Sequence, residues 1–207
     1  MQSDSYNKPR LYIVVLGGRT RKCHIELHDV RWVVGNTIED TFPQLINQWF
    51  GDRAGLHIDS YMEVRFIDGY LIKLKENLAG NNQKLLEARS DLEKDYNQLW
   101  FVNVGGYDPT KLHELHEYGL FIAKSSSEAK YKAKQKLLKD SRMIHGDNIF
   151  SIGHPDLIDD CHSIHKVNGW NIEILLDNMN RSQKLIPDWY GYRLIATEIQ
   201  ASINLGL

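Results

Sequence analysis

The chain has 207 residues, with 25 Lys and Arg against 27 Asp and Glu, a net charge of −2 at pH 7 and 42% hydrophobic residues. That length supports a real core, in one domain or two small ones, and the near balance of charge argues against a broad nucleic-acid or acidic-membrane surface. The opening MQSDSYNKPR lacks the apolar stretch of a signal peptide, and no apolar run approaches the ~18 residues of a membrane helix. The expected location is therefore the cytoplasm, with Cys23 and Cys161 as reduced thiols.

Leu11–Leu16 is almost continuously apolar, as expected of a central strand covered on both faces. Gly17-Gly18 then suggests a tight turn, and Glu26–Val34 a second strand. Ile38, Phe42, Leu45, Ile46, Trp49 and Phe50 keep helical spacing. Thr37 and Asp40 resemble a capping box. Pro43 would break a hydrogen bond deep in a helix, so the helix either kinks there or starts near Asp40 or Thr41. Asp68-Gly69 lies between strand-like segments and suits the positive φ angles of a type I′ hairpin.

The series then starts again. LYIVVLGG (Leu11 to Gly18) returns as LWFVNVGG (Leu99 to Gly106), and ELHDVRWVVG (Glu26 to Gly35) as ELHEYGLFIA (Glu114 to Ala123), both at an offset of 88. Seven of the 25 positions Leu11–Gly35 are identical in the two copies. A second helix with Ala129, Ala133, Leu137 and Leu138 on one face and a Ser125/Glu128 capping box follows. HIDSYMEVRFIDGYLIKL (His57 to Leu74) then matches LIDDCHSIHKVNGWNIEI (Leu157 to Ile174) at an offset of 100, with Asn168-Gly169 at the second hairpin. Two copies mean a tandem duplication. The expected fold is α+β, a duplicated β-β-α-β-β unit. The repeats span 8–75 and 99–176, the second with an inserted loop near 141–153. A polar linker, 76–98, carries a short helix at Gln83–Tyr96, and a tail segment fills 177–207. A four-stranded sheet with one helix covers only one of its faces. Packing of the two copies about a pseudo-two-fold axis, as in a fused homodimer, would bury the other.

Glu-Leu-His-acid is the polar signature of both copies. On a strand, Glu26 and His28, like Glu114 and His116, share a face about 6.6–7 Å apart, a spacing that allows acid–base work, two ligands to one ion, or a water bridge. The plainer reading places each His at the mouth of the core, oriented by its Glu and bonded to the Gly-Gly turn. Gly17, Gly18, Arg19, Arg21 and Lys22 could cradle a small anion, but no phosphate-loop fingerprint is present. His154, Asp156, Asp159, Asp160, Cys161, His162 and His165 crowd one stretch without a recognised zinc spacing, and HELHE (His113 to Glu117) places its histidines three apart rather than four. No metal site and no cofactor are expected. Asp59 and Asp159 read as a shared turn or cap. Lys130, Lys132, Lys134, Lys136 and Lys139 read as a solvated helix face without the aromatics of a base-stacking surface.

IELHDVRWVVG (Ile25 to Gly35), TIEDTFPQLINQWFG (Thr37 to Gly51), HIDSY (His57 to Tyr61) and LWFVNVGGYDP (Leu99 to Pro109) resemble a bacterial family catalogued as domain of unknown function 1543. The resemblance implies a small cytoplasmic bacterial protein and carries over no catalytic residue. The function read from the residues is a non-catalytic binding or assembly module, with a homodimer or a small anionic ligand as partner. The alternative is a small-molecule enzyme using a Glu-x-His pair as acid and base.

Overall fold

The computed structural model describes residues 8–77, 96–106, 110–137 and 158–195. The expected linker helix at 83–96 (all but Tyr96), the expected inserted loop at 141–153, and His154, Asp156, Leu138 and Lys139 fall outside them. The elements run β1 (Arg10–Gly18), β2 (Leu27–Gly35), a 3-10 turn at Glu39–Thr41, α1 (Phe42–Gln48), β3 (His57–Glu63), β4 (Phe66–Ile67) and β5 (Tyr70–Glu76). They continue with β6 (Gln98–Gly106), β7 (Leu115–Ala123), α2 (Ser126–Lys136), β8 (Ile158–Ile164), β9 (Lys166–Val167), β10 (Trp170–Leu176) and β11 (Trp189–Leu194). This is an α+β protein dominated by antiparallel sheet.

The two halves share one register. Arg10 faces Gly35 and Gly18 faces Leu27 across β1–β2. Gln98 faces Ala123 and Gly106 faces Leu115 across β6–β7, each position 88 further on. On the other side, β1 pairs with β3 and the register slips between Val15 and Leu16. β6 pairs with β8 and slips between Asn103 and Val104, the same place. Such a bulge leaves one residue opposite none and twists the strand locally.

The chain divides into two compact units. One comprises Met1–Arg65, Val167–Trp170 and Gln183–Leu207, the other Phe66–Lys166 and Asn171–Ser182. They cut the chain differently from the repeats, because the first hairpin belongs to the second unit. In the first unit a four-stranded sheet, β11-β3-β1-β2, packs α1 against one face. Val14, Leu16, Val33, Phe42, Leu45, Trp49, Leu56 and Ile58 form the core between them. The fourth strand comes from the tail, not from the hairpin as the repeat suggests. Asp188 and Gln183 tie that tail down. The Glu63 N–H donates to Asp188 Oδ2 (2.7 Å), the Arg65 N–H to Gln183 Oε1 (3.0 Å), and Gln183 Nε2 to the Glu63 carbonyl (2.8 Å). β11 escapes sequence reading because WYGYRL has no buried residue and holds a glycine at φ 154°.

The second unit holds a three-stranded sheet, β7-β6-β8, with α2 against it over Val102, Val104, Phe121, Ala123, Ala129 and Ala133. A separate sheet has the order β4-β5-β10-β9. Asp68 at the first hairpin accepts hydrogen bonds from the Ile122 N–H (3.0 Å) and Lys136 Nζ (2.7 Å). Asp177 and Arg181 close a bidentate pair, and the Arg181 guanidinium lies 3.8 Å from the Phe66 ring centroid. Side-chain and backbone hydrogen bonds from Arg181 hold the Asp177 carboxyl down at about 2.

The Ser125/Glu128 box caps α2 as expected, whereas the Thr37/Asp40 bonds close the turn before the 3-10 segment, and α1, with Thr41 as its N-cap, has no side-chain cap. Asp40 Oδ2 accepts from the Thr37 N–H (2.9 Å) and Ser125 Oγ from the Glu128 N–H (3.2 Å). Pro43 causes no kink: α1 begins at Phe42, so the ring sits in the first turn, where its missing N–H costs nothing. Phe50 falls beyond the helix and is exposed. Both hairpin turns have paired positive φ angles, 48° and 82° at Asp68-Gly69 and 48° and 84° at Asn168-Gly169.

Candidate functional site

β1 lies between β2 and β3, and Gly17 faces His28 on one side and His57 on the other. Residues directly opposite share a face of the sheet, so two imidazoles flank a position with no side chain. A Cβ on Gly17 would fall against His57 Nε2, well inside van der Waals contact, and 3.0 Å from Asp59 Oδ2. Gly17 and Gly18 thus do not form the turn their sequence suggests. They continue β1 because histidine and tryptophan side chains need the room: a Cβ on Gly18 would meet Trp49 at 2.8 Å. The bulge passes from Ser60 to Ile58 opposite β1 and leaves Asp59 beside His57. Glu26, one residue before β2, completes the group.

Four side chains converge. His57 Nε2 lies 3.2 Å from Glu26 Oε1 and 3.2 Å from Asp59 Oδ1. His28 Nε2 lies 3.3 Å from Asp59 Oδ2 and 4.0 Å from Glu26 Oε2. His57 is 1% exposed, and its Nδ1 sits 2.8 Å from the Gly55 carbonyl. A carbonyl only accepts, so Nδ1 donates to it, and the ring turns Nε2 toward both carboxylates. That nitrogen is buried and has no hydrogen-bond partner. Tyr192 of β11 covers the ring face, with centroids 3.9 Å apart.

His28 and His116 are not at the mouth of a core. Their side chains are 55% and 48% exposed, because their strand ends project beyond the buried stretches of β2 and β7. His116 faces Gly105 as His28 faces Gly17, and Glu114 Oε2 is 3.8 Å from its Nε2. The position matching His57 is Leu157, outside the described residues, so the pair in the second half lacks the buried histidine. Asn103 Nδ2 instead lies 3.5 Å from His116 Nδ1 and 3.3 Å from Asp160 Oδ2.

The other sequence candidates do not gather. Arg19, Arg21 and Lys22 are exposed beside a turn in which the Cys23 N–H donates to the Thr20 carbonyl. His162 lies 3.4 Å from Asp160, two residues before it, and both are exposed. Of the lysines on α2, Lys132 bonds Glu128 (2.9 Å) and the Ile122 carbonyl (2.6 Å), and Lys136 bonds Asp68. Cys23 and Cys161 are free thiols, and burial raises the pKa of Cys161. Sequence reading missed His57, Asp59 and Tyr192 as site residues. The available signal was the break in the repeat, where His57 stands against Leu157.

The molecule is thus an α+β protein with one sheet register used twice and a four-residue acid–histidine cluster in its first half. A family model described as Domain of Unknown Function (DUF1543) matches residues 23–74 and 111–157, once in each half. It is the family that the motifs resemble, and its first stretch contains Glu26, His28, His57 and Asp59. The fold is similar to the crystal structure of a protein, Il1583, from Idiomarina loihiensis. The two are 27% identical with a TM-score of 0.62, over 89% of this chain and 96% of that one. No curated protein matches the chain. Among the described residues no helix is long and apolar enough to cross a membrane.

Proposed function

We propose that the protein is a binding module built on a tandem duplication of a β-β-α-β-β unit. Its first half binds a ligand through Glu26, His28, His57 and Asp59, and its second half is scaffold. The identical registers and matching bulges support the duplication. The observation that carries the binding role is His57. A buried ring nitrogen facing two carboxylates without a hydrogen bond destabilises a fold that has no other use for it. The preferred ligand is a cation, since two carboxylates and two imidazoles meet there. The arrangement favours this over a small anion at Gly17, Gly18, Arg19, Arg21 and Lys22, because both glycines lie within the β1 ladders. It is silent on a homodimer. The exposure of His28 favours one second reading, an enzyme in which Glu26 and His28 act as acid and base on a bound small molecule.

The second half supplies the natural test. His57→Leu installs the residue found at the matching position. A ligand-binding histidine should be dispensable for folding, so urea denaturation should give a midpoint equal to or above that of the parent. A variant less stable by about 2 kcal/mol or more, the scale of an unsatisfied buried group, would make His57 structural and remove the reading.

A further inference from the structure

We infer that the ligand of this cluster is a single divalent transition-metal ion, held by His28 Nε2, His57 Nε2, Asp59 and Glu26. The inference rests on the binding-module reading and names its ligand.

Three observations point the same way. First, donor atoms around a tetrahedral or octahedral ion with bonds of 2.0–2.2 Å stand about 3.0–3.6 Å apart. His57 Nε2 stands at this separation from Glu26 Oε1 and Asp59 Oδ1, 3.2 Å each, and His28 Nε2 lies 3.3 Å from the other oxygen of Asp59. Second, His57 is already set as metal-ligating histidines are. Its Nδ1 proton goes to a backbone carbonyl, which fixes the tautomer, aims Nε2 and raises its basicity. Third, the carboxylates of Glu26 and Asp59 gather on one buried ring nitrogen that has no hydrogen-bond partner. A dication there would offset both carboxylates and give that nitrogen a partner. Imidazole with carboxylate suits zinc, iron, cobalt, nickel or manganese better than calcium or magnesium.

Among the described residues no group of three or more His, Cys, Asp or Glu side chains stands arranged to hold a metal ion, so the inference requires side chains of the cluster to turn on binding. The widest gap is 4.0 Å, between His28 and Glu26, and both are substantially exposed, which leaves them room to turn toward His57. The spacing rules that led the sequence reading to expect no metal look along one segment. Here the ligands come from β3 and from the start of β2, 29 to 33 residues apart, and only the sheet register joins them.

The test uses tag-free full-length protein stripped with chelator and titrated with Zn2+ by calorimetry, with His28→Ala, Asp59→Asn and His116→Ala as variants. Because His28 and Asp59 are not core residues, these variants test the site without relying on a His57 variant that fails to fold. One equivalent should bind to the parent and to His116→Ala. His28→Ala and Asp59→Asn should each weaken binding at least about tenfold, the low end of what even outer-shell partners contribute. No stoichiometric binding up to about 1 mM free Zn2+, a millimolar dissociation constant being a weak interaction, would overturn the inference. So would binding that survives in His28→Ala and Asp59→Asn. Either result, combined with a fully stable His57→Leu protein, would leave a binding site whose ligand is not a metal. An unstable His57→Leu protein would remove the site itself.

Discussion

Gly17 is the residue on which the cluster depends, because the imidazole of His57 occupies the space a side chain would need. Gly17→Ala should destabilise the protein by about 1–3 kcal/mol, the usual cost of overpacking. His57→Ala should relieve most of that cost in the double variant, as a double-mutant cycle by urea denaturation would show. Additive effects would mean that the glycine serves something else. At Asp177 the argument is about pH. Its folded-state pKa is about 2, against an ordinary value near 3.8. The native state therefore binds fewer protons than the unfolded state between these values, and stability falls as pH drops through that window. Asp177→Asn should flatten the stability profile between about pH 4 and pH 2 while leaving the slope near neutrality unchanged. The Glu-x-His pairs were visible in the sequence at this scale, but their burial was not. Alternation along a strand gives the face a side chain shares, not how far the strand projects beyond its cover.

At the scale of elements, the sequence carried most of the fold. Continuous apolar runs at Leu11–Leu16 and Leu99–Val104 became interior strands of their sheets, the Ser125/Glu128 capping box formed, and Asp-Gly and Asn-Gly made the hairpin turns. These signals are local, acting through side chains and φ angles within a few residues. What failed was long-range: the partner of β11 and the destination of the first hairpin are set by contacts more than 100 residues apart. The two hairpins also differ in a way their dipeptides hide. A Cβ on Gly69 would strike the Asn180 side chain, whereas one on Gly169 meets nothing within 4 Å. Both substitutions pay about 1 kcal/mol for positive φ. Gly69→Ala should nevertheless lower the thermal midpoint clearly more than Gly169→Ala. Equal shifts would show that Asn180 moves aside freely.

For the whole molecule, the account is of one scaffold used twice with a site kept in one copy. The register and the bulges are common to both halves; the buried histidine is not. That asymmetry makes the second half an internal control, present in the same tube and exposed to the same ion. The most direct measurement is an amide NMR spectrum of metal-stripped protein recorded with a few tenths of an equivalent of Co2+. The account predicts that paramagnetic effects appear first at Gly17, His28, His57 and Asp59, with Gly105, His116 and His162 left sharp. Broadening that is uniform, or that begins at His116 or His162, would contradict it.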